Sequence, residues 1–297
     1  MLLLWGAACA QEAADGLLPP PGQDRSPRVA GIRQALLLGD LVRARTQAAS
    51  LEAEEPRNCE GPFWQGYLAL RSGEFYDAIR ALRRAEALTP TPAVRKVLAV
   101  AYYGAHQQRL FARVMRQVLA ERPQDFAPYY YLGRYYESDL TDFAQAAALF
   151  RQAIERNPTH WRSHYYLGHC LEVQQKWAEA EAEYQQARSL GDGLAEQGLA
   201  RLRLAADRPA EALPLARKAA DLAPRDAATH KLLARVYSEI GREKEAAAEW
   251  KLATTLDPAD VSSLYRLYRA YQSAGDVAQA QAALKQYQKI VARYGTN

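Results

Sequence analysis

The chain reads as a succession of short apolar helical runs, several of them stopped by a proline. The runs LEAEEP, EALTP, IERNP, DLAP and TLDP close at Pro56, Pro90, Pro158, Pro224 and Pro258. Proline lacks the donor that a continuing helix needs, so each marks a helix end. Pro56 and Pro90 lie 34 residues apart, Pro90 and Pro158 lie 68 apart, and Pro224 and Pro258 again 34. Alanine stands 12 residues before each of these prolines, at Ala44, Ala78, Ala146, Ala212 and Ala246. A small residue there lets two helices approach closely, and Gly66, Gly133 and Gly168 supply the matching small residue on a preceding helix. Between the paired helices, Gly39-Asp40, Gly73-Glu74, Gly241-Arg242 and Gly275-Asp276 mark a turn. This period predicts a repeated helix–turn–helix unit.

Composition agrees with the pattern. Alanine, leucine, arginine, glutamate and glutamine dominate, and these lose little rotamer freedom in a helix. A hydrophobic content of 49% excludes a disordered chain. Helix starts are marked as well. Thr91 precedes Pro92 at a first helical position, and Asp125, Asp226 and Asp260 stand where a carboxylate accepts orphan amide donors.

On these anchors the chain resembles the tetratricopeptide-repeat family, whose unit is W-x2-L-G-x2-Y, then A-x3-F, an alanine and a proline. The fourth repeat carries Tyr129, Leu132, Gly133 and Tyr136, then Ala146, Phe150, Ala153 and Pro158. The fifth carries Leu167, Gly168, Ala180, Tyr184 and Ala187, and the seventh Ala234, Tyr237, Ala246, Trp250, Ala253 and Pro258. The resemblance implies an all-α fold, a right-handed superhelical solenoid of about eight repeats with a concave inner face. The repeats fall near 25–58, 59–92, 93–125, 126–160, 161–192, 193–226, 227–260 and 261–294. Departures are local. The third repeat ends early at Pro123, the turn ESDLTD of the fourth holds one extra residue, and Gly191-Asp192-Gly193 replaces the terminal proline of the fifth. The first repeat is poor and reads as a capping pair.

In this family the first helix of each pair lines the groove, near repeat positions 2, 5, 9 and 12. Position 9 then falls at Arg134, His169, Arg201, Arg235 and Arg269 in repeats four to eight. Position 5 falls at Tyr130, Tyr165, Gln197, Lys231 and Tyr265, and position 2 adds Arg162. Phe63, Tyr67, Val94, Val97 and Ala101 occupy these places in the second and third repeats. The implied groove is apolar at its N-terminal end and cationic with tyrosines at its C-terminal end. Guanidinium forks bind carboxylates bidentately, and tyrosine offers a large surface with a polar tip. The partner this suits is a protein or peptide with an extended acidic segment. An alternative stays open: a solvated arginine face copied by repeat duplication. The family's carboxylate clamp is not matched, because Asn58, Asn157 and Asn297 are the only asparagines and none is at a groove position.

Chemistry-bearing motifs are sparse. In the cluster Tyr129-Tyr130-Tyr131, Tyr129 reads as packing and Tyr130 as groove-facing. His160, His164 and His169 are close in sequence, but no cysteine or carboxylate completes a metal spacing, and His164 sits at the packing position usually held by tryptophan. No phosphate loop, dinucleotide fingerprint, nucleophile elbow or zinc-protease motif occurs. The expectation is a non-enzymatic scaffold with no cofactor and no metal. A net charge of +4 on 297 residues does not by itself indicate nucleic acid.

The N-terminal stretch MLLLWGAACA is apolar and ends in Ala8-Cys9-Ala10, which fits a signal-peptidase site with Gln11 as the first mature residue. Residues 1–10 are therefore expected to be a signal peptide, 11–26 a Pro/Gly-rich linker and 27–294 the repeat array. The implied location is exported, periplasmic or secreted. A lipid anchor at Cys9 is the alternative, and would suit a component of a cell-envelope assembly or secretion machine. No later apolar run reaches the length of a membrane span. Cys59 and Cys170 fall three repeats apart, so no intramolecular disulfide is expected.

Overall fold

The structure, a computed structural model, describes residues 27–191 and 194–294. The expected signal peptide and linker, with Cys9, and Asp192-Gly193 lie outside the described residues. The described chain is all-α, with sixteen helices forming eight hairpins. Among the described residues, those up to Asn157 form one compact unit and those from Pro158 a second. The first unit holds α1 (Pro27–Leu37), α2 (Leu41–Glu54), α3 (Glu60–Arg71), α4 (Phe75–Leu88), α5 (Pro92–Gly104), α6 (Gln108–Glu121), α7 (Phe126–Ser138) and α8 (Phe143–Arg156). The second holds α9 (Trp161–Val173), α10 (Trp177–Ser189), α11 (Leu194–Ala205), α12 (Pro209–Leu222), α13 (Ala227–Glu239), α14 (Glu243–Leu256), α15 (Val261–Ser273) and α16 (Val277–Tyr294). In each unit, helices adjacent in sequence pack against each other, which is the stacked-hairpin architecture of a repeat solenoid.

The periodic small residues make the contact they are spaced for. Ala44, Ala78, Ala146, Ala212 and Ala246 are all fully buried. Across from them the glycines leave no room for a side chain. A Cβ on Gly133 would come 2.8 Å from the Phe150 ring, and one on Gly198 would come 2.5 Å from the Tyr184 ring. Large side chains such as Trp64, Tyr67, Phe111, Phe150 and Tyr184 fill the space beside these contacts and are fully buried.

The turn within each hairpin is one recurring device. Gly39, Gly73, Gly241 and Gly275 have φ of 73°, 75°, 75° and 78°. The amide of the following residue reaches back five residues, as Asp40 to the Ala35 carbonyl (2.9 Å) and Arg242 to the Tyr237 carbonyl (2.8 Å). This satisfies an orphan carbonyl at the helix end. The same turn forms at His106, Gln175 and Asp207, with φ of 57°, 60° and 57°, although none is glycine. The extra residue of the fourth hairpin appears as a wider turn around Thr141 (φ 52°), where Asp142 reaches six residues back to Tyr136.

One detail of the register is corrected. α5 begins at Pro92, with the Thr91 hydroxyl accepting from the Val94 amide at 3.3 Å. Proline is preorganised for the first helical place, so this helix starts one residue before the period implies. Val94, Val97 and Ala101, expected to face the groove, are buried, as are Phe63 and Tyr67. Lys96 takes the fifth helical place instead.

The close helix contact yields a prediction. Gly198→Val should lower the stability of the second unit by about 1–3 kcal/mol, because the Tyr184 ring is held by partners and cannot withdraw. Chemical denaturation followed by circular dichroism measures this; an unchanged midpoint would contradict the packing described.

Candidate functional site

At the fifth place of the first helix, most side chains are held or covered. Lys96 Nζ donates to Asp125 Oδ2 at 2.7 Å, Gln197 Nε2 to Asp226 Oδ2 at 2.9 Å, and Lys231 Nζ to Asp260 Oδ2 at 2.8 Å. Each aspartate caps the first helix of the next hairpin. Asp226 accepts from the Ala228 and Thr229 amides, and Asp260 from those of Ser262 and Ser263. Cap and cross-hairpin staple thus share one carboxylate. Burial pushes the Asp260 carboxyl up, but Lys231, Ser263 and Ser262 outweigh it and hold it well below its usual range. Two more fifth-place residues are buried: Tyr130 packs against Phe150 with centroids 6.2 Å apart, and Tyr165 against Tyr184 at 5.6 Å, whereas Tyr265 is exposed. Tyr130, read as groove-facing, is therefore a packing residue.

The ninth place divides into held and open cations. Arg201 Nε donates to Glu172 Oε1 at 2.9 Å and Arg201 Nη2 to Glu172 Oε2 at 2.9 Å. Arg201 Nη2 also donates to the Tyr184 hydroxyl at 2.9 Å, and that hydroxyl donates to Glu172 Oε2 at 2.5 Å. Burial pushes the Glu172 carboxyl up, yet the Arg201 fork and the Tyr184 hydroxyl bring it below its usual range. Burial pushes the Tyr184 phenol far up. Arg134 lies 3.5 Å from Glu137, both mostly covered, and Arg162 lies over the Trp161 ring at 4.3 Å. His169 is half-buried on the same helix as Glu172.

Arg235 and Arg269 differ. Both are exposed, with no ion pair among the described residues. Arg269 borders a cavity of about 450 Å³ lined by Ser238 of α13, Trp250 of α14, and Ser262, Tyr265 and Arg266 of α15. Tyr265 is 42% exposed, and Arg266 lies over the Trp250 ring at 5.7 Å. A second cavity, of about 390 Å³ among α2, α3 and α4, contains Arg45, Arg80 and Arg84, but each is already paired, with Glu74, Asp77 and Glu52. Among the ninth-place cations of the second unit, the open ones therefore lie on α13 and α15.

The fourth helical place carries a feature missed in the sequence. His164 Nδ1 meets Glu183 Oε2 at 2.7 Å while Nε2 meets the Pro158 carbonyl at 2.9 Å. His230 repeats this with Glu249 at 2.7 Å and the Pro224 carbonyl at 3.1 Å. Tyr129 at the same place donates to the Pro123 carbonyl at 3.1 Å. The signal was available, since both histidines precede their glutamate by 19 residues. Acceptors at both nitrogens of His164 favour its imidazolium. For His164, burial lowers the pKa, but Glu183 and the Pro158 carbonyl raise it above the usual 6.5. No group of three His, Cys, Asp or Glu side chains suited to a metal ion occurs among the described residues. Cys59 and Cys170 are free thiols.

Stacked helix hairpins with one face left open define a repeat-scaffold class of protein. The family model for the tetratricopeptide repeat matches residues 136–195 and 198–261. A tetratricopeptide repeat protein from Parabacteroides merdae is 17% identical with a TM-score of 0.63, over 82% of this chain and 97% of that one. A chain of the APC/C hetero-tetramer Cut9–Hcn1 is 14% identical with a TM-score of 0.71, over 94% of this chain and 56% of that one. A monomeric mutant of IFIT1, solved with Gppp-AAAA, is 15% identical with a TM-score of 0.63, over 97% of this chain and 76% of that one. No curated protein sequence matches the chain. Residues 136–195 and 198–261 thus match the tetratricopeptide repeat, and the fold is that of the tetratricopeptide-repeat solenoids.

Two predictions follow from the held groups. The raised pKa of His164 stabilises the fold below the unfolded value of 6.5, and that contribution is lost as pH rises through the folded value. Thermal melts at pH 5.5 and 9 should differ less in His164→Phe than in the unsubstituted chain; equal differences would show that the imidazolium bridge is not formed. Glu172→Gln leaves the mostly covered Arg201 without its counter-charge and should cost about 1–3 kcal/mol. Its urea midpoint measures this, and an unchanged midpoint would remove the fork from the stabilising contacts.

Proposed function

We propose that the chain is a non-enzymatic scaffold that holds an extended acidic protein segment against α13 and α15. Exposed arginines without an internal counter-charge carry this reading. Arg201, Lys231 and Gln197 have spent their donors on Glu172, Asp260 and Asp226, whereas Arg235 and Arg269 still offer theirs. Tyr265 and the cavity beside Arg269 add a flat contact surface and room for a side chain. Each guanidinium–carboxylate contact at these exposed side chains would contribute about 0.2–1 kcal/mol. The fold supports the coarser statement, a protein-interaction scaffold, and the charge of the partner is inferred from the two arginines.

The location we propose is outside the cytoplasm, on the strength of Ala8-Cys9-Ala10 after an apolar stretch. A lipid anchor at Cys9 on a cell-envelope assembly is the second reading, favoured by the cysteine within that same segment.

Fluorescence titration with acidic and neutral peptides at several salt concentrations tests the binding reading. Arg235→Glu with Arg269→Glu should weaken the acidic peptide at least tenfold and flatten its salt dependence. Binding unaffected by the double substitution, or equal for neutral peptides, would overturn it.

A further inference from the structure

The largest exposed aliphatic side chains of the first unit are gathered at one place. Leu37 is 88% exposed, Leu38 71%, and Val42 78%, with Leu41 partly exposed beside them, all around the turn between α1 and α2. Tyr76, 72% exposed, stands in the same way after the turn between α3 and α4. The two turns are neighbours. Arg45 of α2 donates to the Ser72 hydroxyl at 2.8 Å and to Glu74 at 2.7 Å in the second turn. Both turns face open space, since a Cβ placed on Gly39 or on Gly73 would meet nothing within 4 Å. Single exposed apolar residues occur at other turns, such as Leu140 and Val277, and are ordinary. Four in succession around one tip are not.

The charges around the tips are uneven. Arg45 is matched by Glu74, and Arg80 by Asp77. Arg43 and Arg71 are exposed and have no ion pair among the described residues, and Asp40, which accepts the Arg43 amide at 2.9 Å, stands against them. The tips are thus apolar at the apex and net cationic at the shoulders. The apolar apex stands outside the cavity that Arg45 and Glu74 line. It fits a soft planar acceptor that takes up aliphatic side chains and meets arginines with negative charge.

We propose that the turns α1–α2 and α3–α4 form a docking surface for an anionic phospholipid bilayer. Leu37, Leu38, Leu41 and Val42 enter the boundary between headgroups and acyl chains, Tyr76 lies at the headgroup level, and Arg43 and Arg71 meet the phosphates. One net cation adds roughly fivefold in affinity on an anionic surface over a neutral one. This surface is separate from the arginines of α13 and α15, so neither reading depends on the other.

Flotation of the full chain with phosphatidylcholine vesicles, with and without phosphatidylglycerol, is the test. Two double variants, Leu37→Asp with Leu38→Asp and Arg43→Glu with Arg71→Glu, are compared with the unsubstituted chain, and circular dichroism checks their helix content. The leucine variant should lose at least tenfold in partitioning on both vesicle types. The arginine variant should lose the preference for phosphatidylglycerol. Failure of the unsubstituted chain to float, or equal flotation of all three proteins, would overturn the proposal. So would concentration-dependent self-association without vesicles that the leucine variant abolishes, because a second copy would then be the occupant.

Discussion

Everything in this chain depends on the close approach of two helices at an alanine. Ala44, Ala78, Ala146, Ala212 and Ala246 are fully buried, and the glycines opposite would drive any Cβ into an aromatic ring or a neighbouring side chain. At that distance a helix pair buries one stripe and leaves another uncovered, so a single hairpin cannot finish its own core. Stacking on the next hairpin completes it. The turn is constrained in the same way, since its left-handed residue must close the hairpin tightly enough for the alanine contact to form.

Stacking also consumes charge. Lys96, Gln197 and Lys231 reach forward to the capping aspartate of the next hairpin, while Arg201 reaches back to Glu172 and Tyr184 of the one before. These partly covered contacts lose little to solvent screening. They also fix which cations remain for a partner. A column of basic residues at one helical place is therefore not one surface: Arg201 is structural, whereas Arg235 and Arg269 are open.

The period of the array was legible because proline, alanine and glycine act locally. Pro56, Pro90, Pro158, Pro224 and Pro258 stop helices wherever they stand, and small residues at fixed spacing report a close contact. The open turns at His106, Gln175 and Asp207 were not legible, because the turn geometry is imposed by the packing and these residues tolerate it without announcing it. The one-residue shift in the third repeat was hidden for a related reason. A period places residues by counting, whereas Pro92 places the helix start by its own ring.

The candidate site was legible in position and not in state. Counting found the ninth place and its arginines. It could not find Glu172, which stands 29 residues before Arg201 and belongs to a neighbouring hairpin. Whether a cation is free depends on that partner, and a single-repeat register carries no information about it.

The most direct measurement is the rate of phenylglyoxal modification at each arginine, read by mass spectrometry of the native protein. If stacking holds some cations and frees others, Arg235 and Arg269 modify rapidly and Arg201 slowly, with the difference lost on denaturation. Equal rates for Arg201, Arg235 and Arg269 in the native protein would contradict that division.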